Sequence, residues 1–160
     1  AFASEEREFN KFKKINKEYQ AALELPGDPE KGKVIYMQSC AVCHQIKGEN
    51  GIAFGPDLGT IHNWKKEDIL ANILDPNLSI MAGYDLWEIN LNNGESLQGI
   101  IAAETSSAIT IKNIGNFEKT ISRQDIKSLQ SLSVSAMTVG LEKNISKEAM
   151  ADLIAFLRQN

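Results

Sequence analysis

The sequence predicts a mainly α-helical fold interrupted by a small antiparallel β insertion. Three observations carry that prediction. Apolar residues recur at spacings of three and four toward both ends of the chain, the period switches to two from residue 84 to about 126, and a Cys-x-x-Cys-His run precedes a glycine-rich loop. The expected division is an amphipathic helix over 1–25, a helical domain made of 26–83 and 130–160, and the β insertion at 84–129.

The first helix is expected from Ser4 to Leu25, with Phe9, Phe12, Ile15, Tyr19, Ala22 and Leu23 as its apolar stripe. Pro26-Gly27-Asp28-Pro29 stops it; Asp28 suits an N-cap and Pro29 the first position of a second helix. That helix carries Val34, Ile35, Tyr36 and Met37 toward the cysteines. Gly48, Gly51, Gly55-Pro56-Asp57 and Gly59 follow, a loop with too little apolar side chain to form a core of its own. Helical spacing returns from Trp64 to Leu74 and ends at Asp75-Pro76.

Strand-like alternation then begins at Trp87, Ile89 and Leu91, with Asn92-Asn93-Gly94 as a hairpin turn. Leu97, Ile101 and Ala103 fit a second strand, Ile109 and Ile111 a third, and Phe117 and Ile121 a fourth. Ser131 to Gly140 reads as a loop containing Met137. Ser146 caps a last helix with Met150, Leu153, Ile154 and Leu157 on its apolar face.

Composition excludes some functions. The chain has 160 residues, 42% of them hydrophobic and 24% charged, with a net charge of −4. No segment concentrates Lys or Arg, so the electrostatic drive for nucleic-acid binding is missing. No apolar run approaches the roughly 18–20 residues of a membrane-spanning helix. The start at Ala1-Phe2-Ala3-Ser4 lacks an apolar leader, which is expected either of a chain whose signal peptide has been removed or of a boundary cut within a longer one.

The chemistry lies in Cys40-Ala41-Val42-Cys43-His44. Two thiols within one turn can each bond a haem vinyl group, and the histidine after the second is then held under the ring with its imidazole on the iron. A thioredoxin-like cysteine pair would need a βαβ setting, which the pattern lacks. A zinc site would need Cys40, Cys43, His44 and His62, but His44 stands next to Cys43 and the ligand geometry is poor. The expected cofactor is therefore one haem c, attached through Cys40 and Cys43, with His44 on the iron.

The sixth position has three candidates, Met81, Met137 and His62; Met37 is too close to Cys40 to cross the haem, and Met150 lies on a core-facing stripe. A backbone carbonyl of Gly55-Pro56-Asp57-Leu58 suits the His44 Nδ1 proton, with Pro56 the expected contact. Tyr36, Phe54 and Trp64 are expected to pack on the macrocycle.

In the order of these motifs the chain resembles the class I cytochromes c: a helix before Cys-x-x-Cys-His, then Gly-Pro-x-Leu, a methionine loop and a C-terminal helix. It is more closely similar to the Planctomycete or Verrucomicrobium type of haem-binding domain. The residues that carry this likeness are Gly27-Asp28-Pro29-Glu30-Lys31-Gly32, Phe54-Gly55-Pro56-Asp57-Leu58, Ile73-Leu74-Asp75-Pro76-Asn77, Gly83-Tyr84, Asn93-Gly94 with Gly99, Asp125-Ile126 and Ser135-Ala136-Met137. The resemblance implies a cytochrome c-like helical haem domain with Met137 as the sixth ligand. It departs from that pattern at Thr138, where the family usually has a proline after the methionine.

The expected function is one-electron transfer in the bacterial periplasm, without acid–base catalysis, with a redox protein such as a dehydrogenase as partner and a homodimer through the first helix as the further expectation. The rivals are a five-coordinate haem acting as a gas sensor or on peroxide, and a docking module stabilised by its haem.

Overall fold

The structure is a computed structural model and describes residues 2–159. Its helices are α1 (Phe2–Tyr19), α2 (Ala21–Glu24), α3 (Pro29–Ser39), α4 (Lys66–Leu74) and α5 (Lys147–Leu157). Between α4 and α5 lie five strands: β1 (Asp85–Leu91), β2 (Ser96–Glu104), β3 (Ala108–Lys112), β4 (Glu118–Ser122) and β5 (Ile126–Ser135). No helix among the described residues is long and apolar enough to cross a membrane.

Helix α3 begins where its cap chemistry requires. The Asp28 side chain accepts from the backbone N–H groups of Glu30 and Lys31, and Pro29 occupies the first turn, where its missing N–H costs nothing. Asp28 N–H in turn donates to Asp152 Oδ1 of α5 at 2.7 Å. The two helices then approach to backbone contact. A Cβ on Gly32 would stand 1.9 Å from the Asp152 carbonyl oxygen, and one on Gly27 would stand 2.2 Å from that of Ala151. Only glycine permits this crossing. Tyr36 of α3 packs its ring on Phe156 of α5, centroids 5.4 Å apart.

Around this pair α4 closes the core. Ile69, Leu70, Ile73 and Leu74 are buried with Tyr36, Met150, Leu153, Ile154 and Leu157. Ser146 caps α5 through the N–H of Ala149, as its position predicts. Tyr19 at the end of α1 donates its hydroxyl to the carbonyls of Glu142 and Ile145, tying the N-terminal helix to the turn before α5.

The expected helix over 4–25 is divided at Gln20, and its stripe is narrower than the spacing implies. Phe12, Ile15, Tyr19, Ala22 and Leu23 reach the core, whereas Phe9 is exposed with the Lys13 ammonium 4.5 Å over its ring. Periodicity marks an apolar face but not how wide a face the neighbours cover. The helix expected from Trp64 starts at Lys66, leaving Trp64 in the preceding turn, where its carbonyl accepts from Arg158.

The sheet has the order β4-β3-β2-β1-β5, antiparallel throughout. Ile89 and Leu91 of β1, Ile109 and Ile111 of β3 and Ile121 of β4 form a second core, separate from the helical one. Two expectations are corrected here. Phe117 is not in the fourth strand but in the turn before it and is exposed, because Gly115 and Asn116 both take positive φ and reverse the chain there. Residues 131–135 are not loop but the second half of β5, so the sheet continues past the expected end at 129. Their serines are poor strand formers in isolation, and only pairing with the free edge of β1 extends them.

The sheet meets the helical body at the haem-motif side. Lys112 of β3 donates to the Ala53 carbonyl at 2.6 Å, and Phe54 beside it is buried. Ser135 N–H donates to Asn77 Oδ1, just after α4, at 2.8 Å.

Gly32→Ala is expected to force α3 and α5 apart and to lower unfolding stability by about 1–3 kcal/mol, the usual range for overpacking a closed contact. Chemical denaturation of the variant beside wild type measures it; an unchanged midpoint would mean the crossing is looser than its geometry implies.

Candidate haem-binding site

Cys40 caps the end of α3, and its N–H still bonds the Tyr36 carbonyl. The chain then winds one further turn. Cys43 N–H and His44 N–H both donate to the Cys40 carbonyl, at 3.0 and 2.9 Å. Both cysteines are free thiols and partly exposed. Burial pushes the Cys40 thiol up to about 11, with Cys43 adding to it, and raises Cys43 as well. A catalytic thiol–disulfide pair needs a depressed thiol value; this pair has the opposite.

His44 is fixed on both sides. Its Nδ1–H donates to the Pro56 carbonyl at 2.7 Å, so the lone pair of the neutral ring lies on Nε2. Burial, the dominant influence, lowers its pKa against a smaller opposing effect of the Pro56 bond, which favours the uncharged, ligand-competent imidazole. Its backbone carbonyl accepts from the Tyr36 hydroxyl at 2.8 Å. A Cβ on Gly55 would fall 2.5 Å from the His44 ring, so the Gly-Pro pair gives the imidazole both its room and its acceptor.

Asp57 holds the loop that presents Pro56. It accepts from Lys47 N–H (2.8 Å), Gly48 N–H (2.7 Å) and Gly59 N–H (2.7 Å). Burial acts to raise its pKa, but the donors at Gly59, Gly48 and Lys47 outweigh it and hold the carboxyl below its ordinary value.

The other residues singled out by sequence are spread more widely. Phe54 is buried beside the site, and Trp64 is more than a third exposed. Tyr36 is fully enclosed in the helical core, with burial pushing its hydroxyl up to about 12 ahead of smaller effects from Cys40 and Asp57. In this structure its contacts are Phe156 and the His44 carbonyl. Met137 is half-buried just beyond β5, with its N–H on Ser135 Oγ at 3.1 Å. Met37 and Met81 are exposed, and Met150 is core. His62 uses Nδ1 on the Gly59 carbonyl at 2.9 Å. Among the described residues no three His, Cys, Asp or Glu side chains converge on one point as a metal cage, which removes the zinc reading of Cys40, Cys43, His44 and His62.

Residues 29–90 match the family model for cytochrome c. That match supports a c-type cytochrome. The match begins at the first residue of α3, takes in the cysteine–histidine motif and ends inside β1, so it covers less than half of the chain and stops short of Met137 and α5. Cytochromes of this family bind covalently attached haem c, and Cys40 and Cys43 have the spacing that attachment requires. The family's work is haem-based electron transfer. The fold agrees: a helical cytochrome c domain with a five-stranded antiparallel sheet added to it.

Sequence reasoning reached the ligand motif and the Pro56 carbonyl but missed the loop clamp of Asp57 and the Tyr36 bond to His44. An Asp two residues before a glycine, with further glycines upstream, was the available signal for the first. Nothing in the spacing signals the second.

Because folded Asp57 titrates below its ordinary value of 3.8, its stabilising effect is complete above that pH and is lost as pH falls through the lowered value. Denaturant unfolding of wild type and Asp57→Ala is expected to show a stability gap at neutral pH that closes well below pH 3.8. A gap independent of pH would assign the effect to something other than the carboxylate.

Proposed function

We propose that this chain is a monohaem electron carrier of the bacterial periplasm, with Cys40 and Cys43 holding haem c by thioether bonds, His44 as the proximal ligand and Met137 as the distal one. The observation that carries the reading is the His44 ring. It is anchored by Nδ1 to Pro56, carries its lone pair on Nε2, and follows two unpaired thiols in a single turn. The haem, when bound, supplies a one-electron Fe(III)/Fe(II) couple. Everything else is done by the protein: the Gly55-Pro56 backbone orients the imidazole, Asp57 holds that backbone, and the α3–α5 contact keeps the cysteine turn in register.

His/Met ligation raises the reduction potential and suits electron exchange rather than oxygen or peroxide chemistry. The partner in this reading is a redox protein, such as a dehydrogenase that delivers electrons one at a time. The motif order beyond the family match, from Asn77 through Ser135-Ala136-Met137, supports the Planctomycete or Verrucomicrobium type of domain. Phe9, exposed on α1, supports a dimer contact through that helix.

The expected absorption spectrum of the oxidised protein is low-spin, with a far-red methionine-to-iron band that is lost in Met137→Ala; the reduced protein is expected to be unchanged by CO. A high-spin spectrum that responds readily to CO in wild type would replace the carrier with a five-coordinate sensor or peroxide-reactive haem. Cys40→Ala with Cys43→Ala is expected to leave haem extractable by acidified solvent, and haem that stays attached would overturn the thioether assignment.

A further inference from the structure

The last strand of the sheet runs directly into the segment bearing Met137, and it does so through an irregularity. Trp87 of β1 pairs with Ser131, but Asp85, two residues earlier, pairs with Ser135, so β5 has surplus chain opposite this stretch. The surplus is taken up at Ser133, whose φ of +55° is in the left-handed region. A bulge of this kind bends a strand and re-aims whatever follows it.

The bend is tied at each end. Ser131 Oγ donates to Asp85 Oδ2 at 3.0 Å and accepts from Ser133 N–H at 3.1 Å. Beyond it, Ser135 is held from two directions: its N–H donates to Asn77 Oδ1 at 2.8 Å, and its Oγ accepts from Met137 N–H at 3.1 Å. Asn77 is itself fixed, its N–H on Asp75 Oδ1 at 3.1 Å at the end of α4. A continuous path of hydrogen bonds therefore runs from α4 through Asp75, Asn77 and Ser135 to the Met137 backbone. On the other side of Met137 the chain has Thr138, exposed Val139 and Gly140 with φ +94°. No proline follows to restrict it.

We propose that the β module is the mount for Met137, and that Asn77 and Ser135 are positioning residues that set how firmly this methionine is held against displacement. The inference rests on Met137 being the distal ligand. It gives the sheet a role that its side chains do not otherwise declare: β1 and the end of α4 grip β5 at its bend, and the grip extends to the ligand-bearing residue. Stiffness that a proline after the methionine would supply comes here from the residues before it.

The test uses the full haem-loaded chain. Asn77→Ala and Ser135→Ala are each expected to speed displacement of the distal ligand by exogenous imidazole in the ferric protein about two- to twelvefold, the effect of one ordinary hydrogen bond on an opening equilibrium. Ser135→Thr, which keeps the hydroxyl, is expected to restore the wild-type rate. The denaturant midpoints of the alanine variants should change far less than the imidazole rate, since a merely structural role would move stability instead. Wild-type imidazole rates in both alanine variants, with the far-red band still lost in Met137→Ala, would overturn the mount while leaving His/Met ligation intact. A spectrum unchanged in Met137→Ala would overturn both. Should the alanine variants misfold, amide hydrogen exchange on the wild-type chain decides it. Protection of Ser135 and Met137 N–H about tenfold or more above Thr138 and Val139 supports the mount, and equal rates overturn it.

Discussion

The backbone contact between α3 and α5 is the constraint on which the rest of the molecule depends. Gly27 and Gly32 bring α3 onto the carbonyls of Ala151 and Asp152, closer than any side chain allows. Glycine is a weak helix former, so Gly32 costs local helix stability and returns it as inter-helix contact, while Gly27 makes its approach from the turn before α3. The consequence is positional. With α3 fixed on α5, its C-terminal end is fixed too, and the cysteine turn and His44 grow from that end. Asp28 to Asp152 at one end of the helix and Tyr36 to the His44 carbonyl at the other make the same helix both the joint of the fold and the base of the site.

From that base the site is assembled by backbone polar groups more than by side chains. The Pro56 carbonyl sets the His44 tautomer, and three amides around Asp57 hold the loop that offers it. Few apolar side chains are needed, which is why a stretch with Gly48, Gly51, Gly55 and Gly59 can be ordered without a core of its own. The arrangement suits an electron carrier. Neither thiol is activated and burial favours the uncharged form of the His44 imidazole, so the protein's contribution is orientation and environment.

The sheet is built on a separate apolar core and joins the helical body by discrete polar contacts, Lys112 to Ala53 and Asn77 to Ser135. Both contacts land on segments next to the haem motif or to Met137. An insertion attached in this way leaves the helical core intact while tying its last strand to the residues just after α4.

Local chemistry was legible in the sequence. The Asp28 cap, the Pro29 start, the Cys-x-x-Cys-His turn, the Pro56 acceptor and the strands from Trp87 to Ile121 all follow from residue type at short spacing, where the interacting groups lie within a few positions of one another. Other features depended on partners distant in the chain. Ser131 to Ser135 read as loop because serine has no strand preference of its own, and only the open edge of β1 makes it strand. Tyr36 was singled out by its place before the cysteines, and its ring partner Phe156 comes from the far end of the chain. Phe9 read as part of an apolar face, and the width of that face was decided by where the packing against α4 ends. The sequence by itself determined the cofactor chemistry and the element types, since these reside in covalent spacing and local hydrogen bonding. The tertiary structure alone decided which groups hold the segments around His44 and Met137, because partners such as Asn77 and Ser135 meet only once the chain has folded.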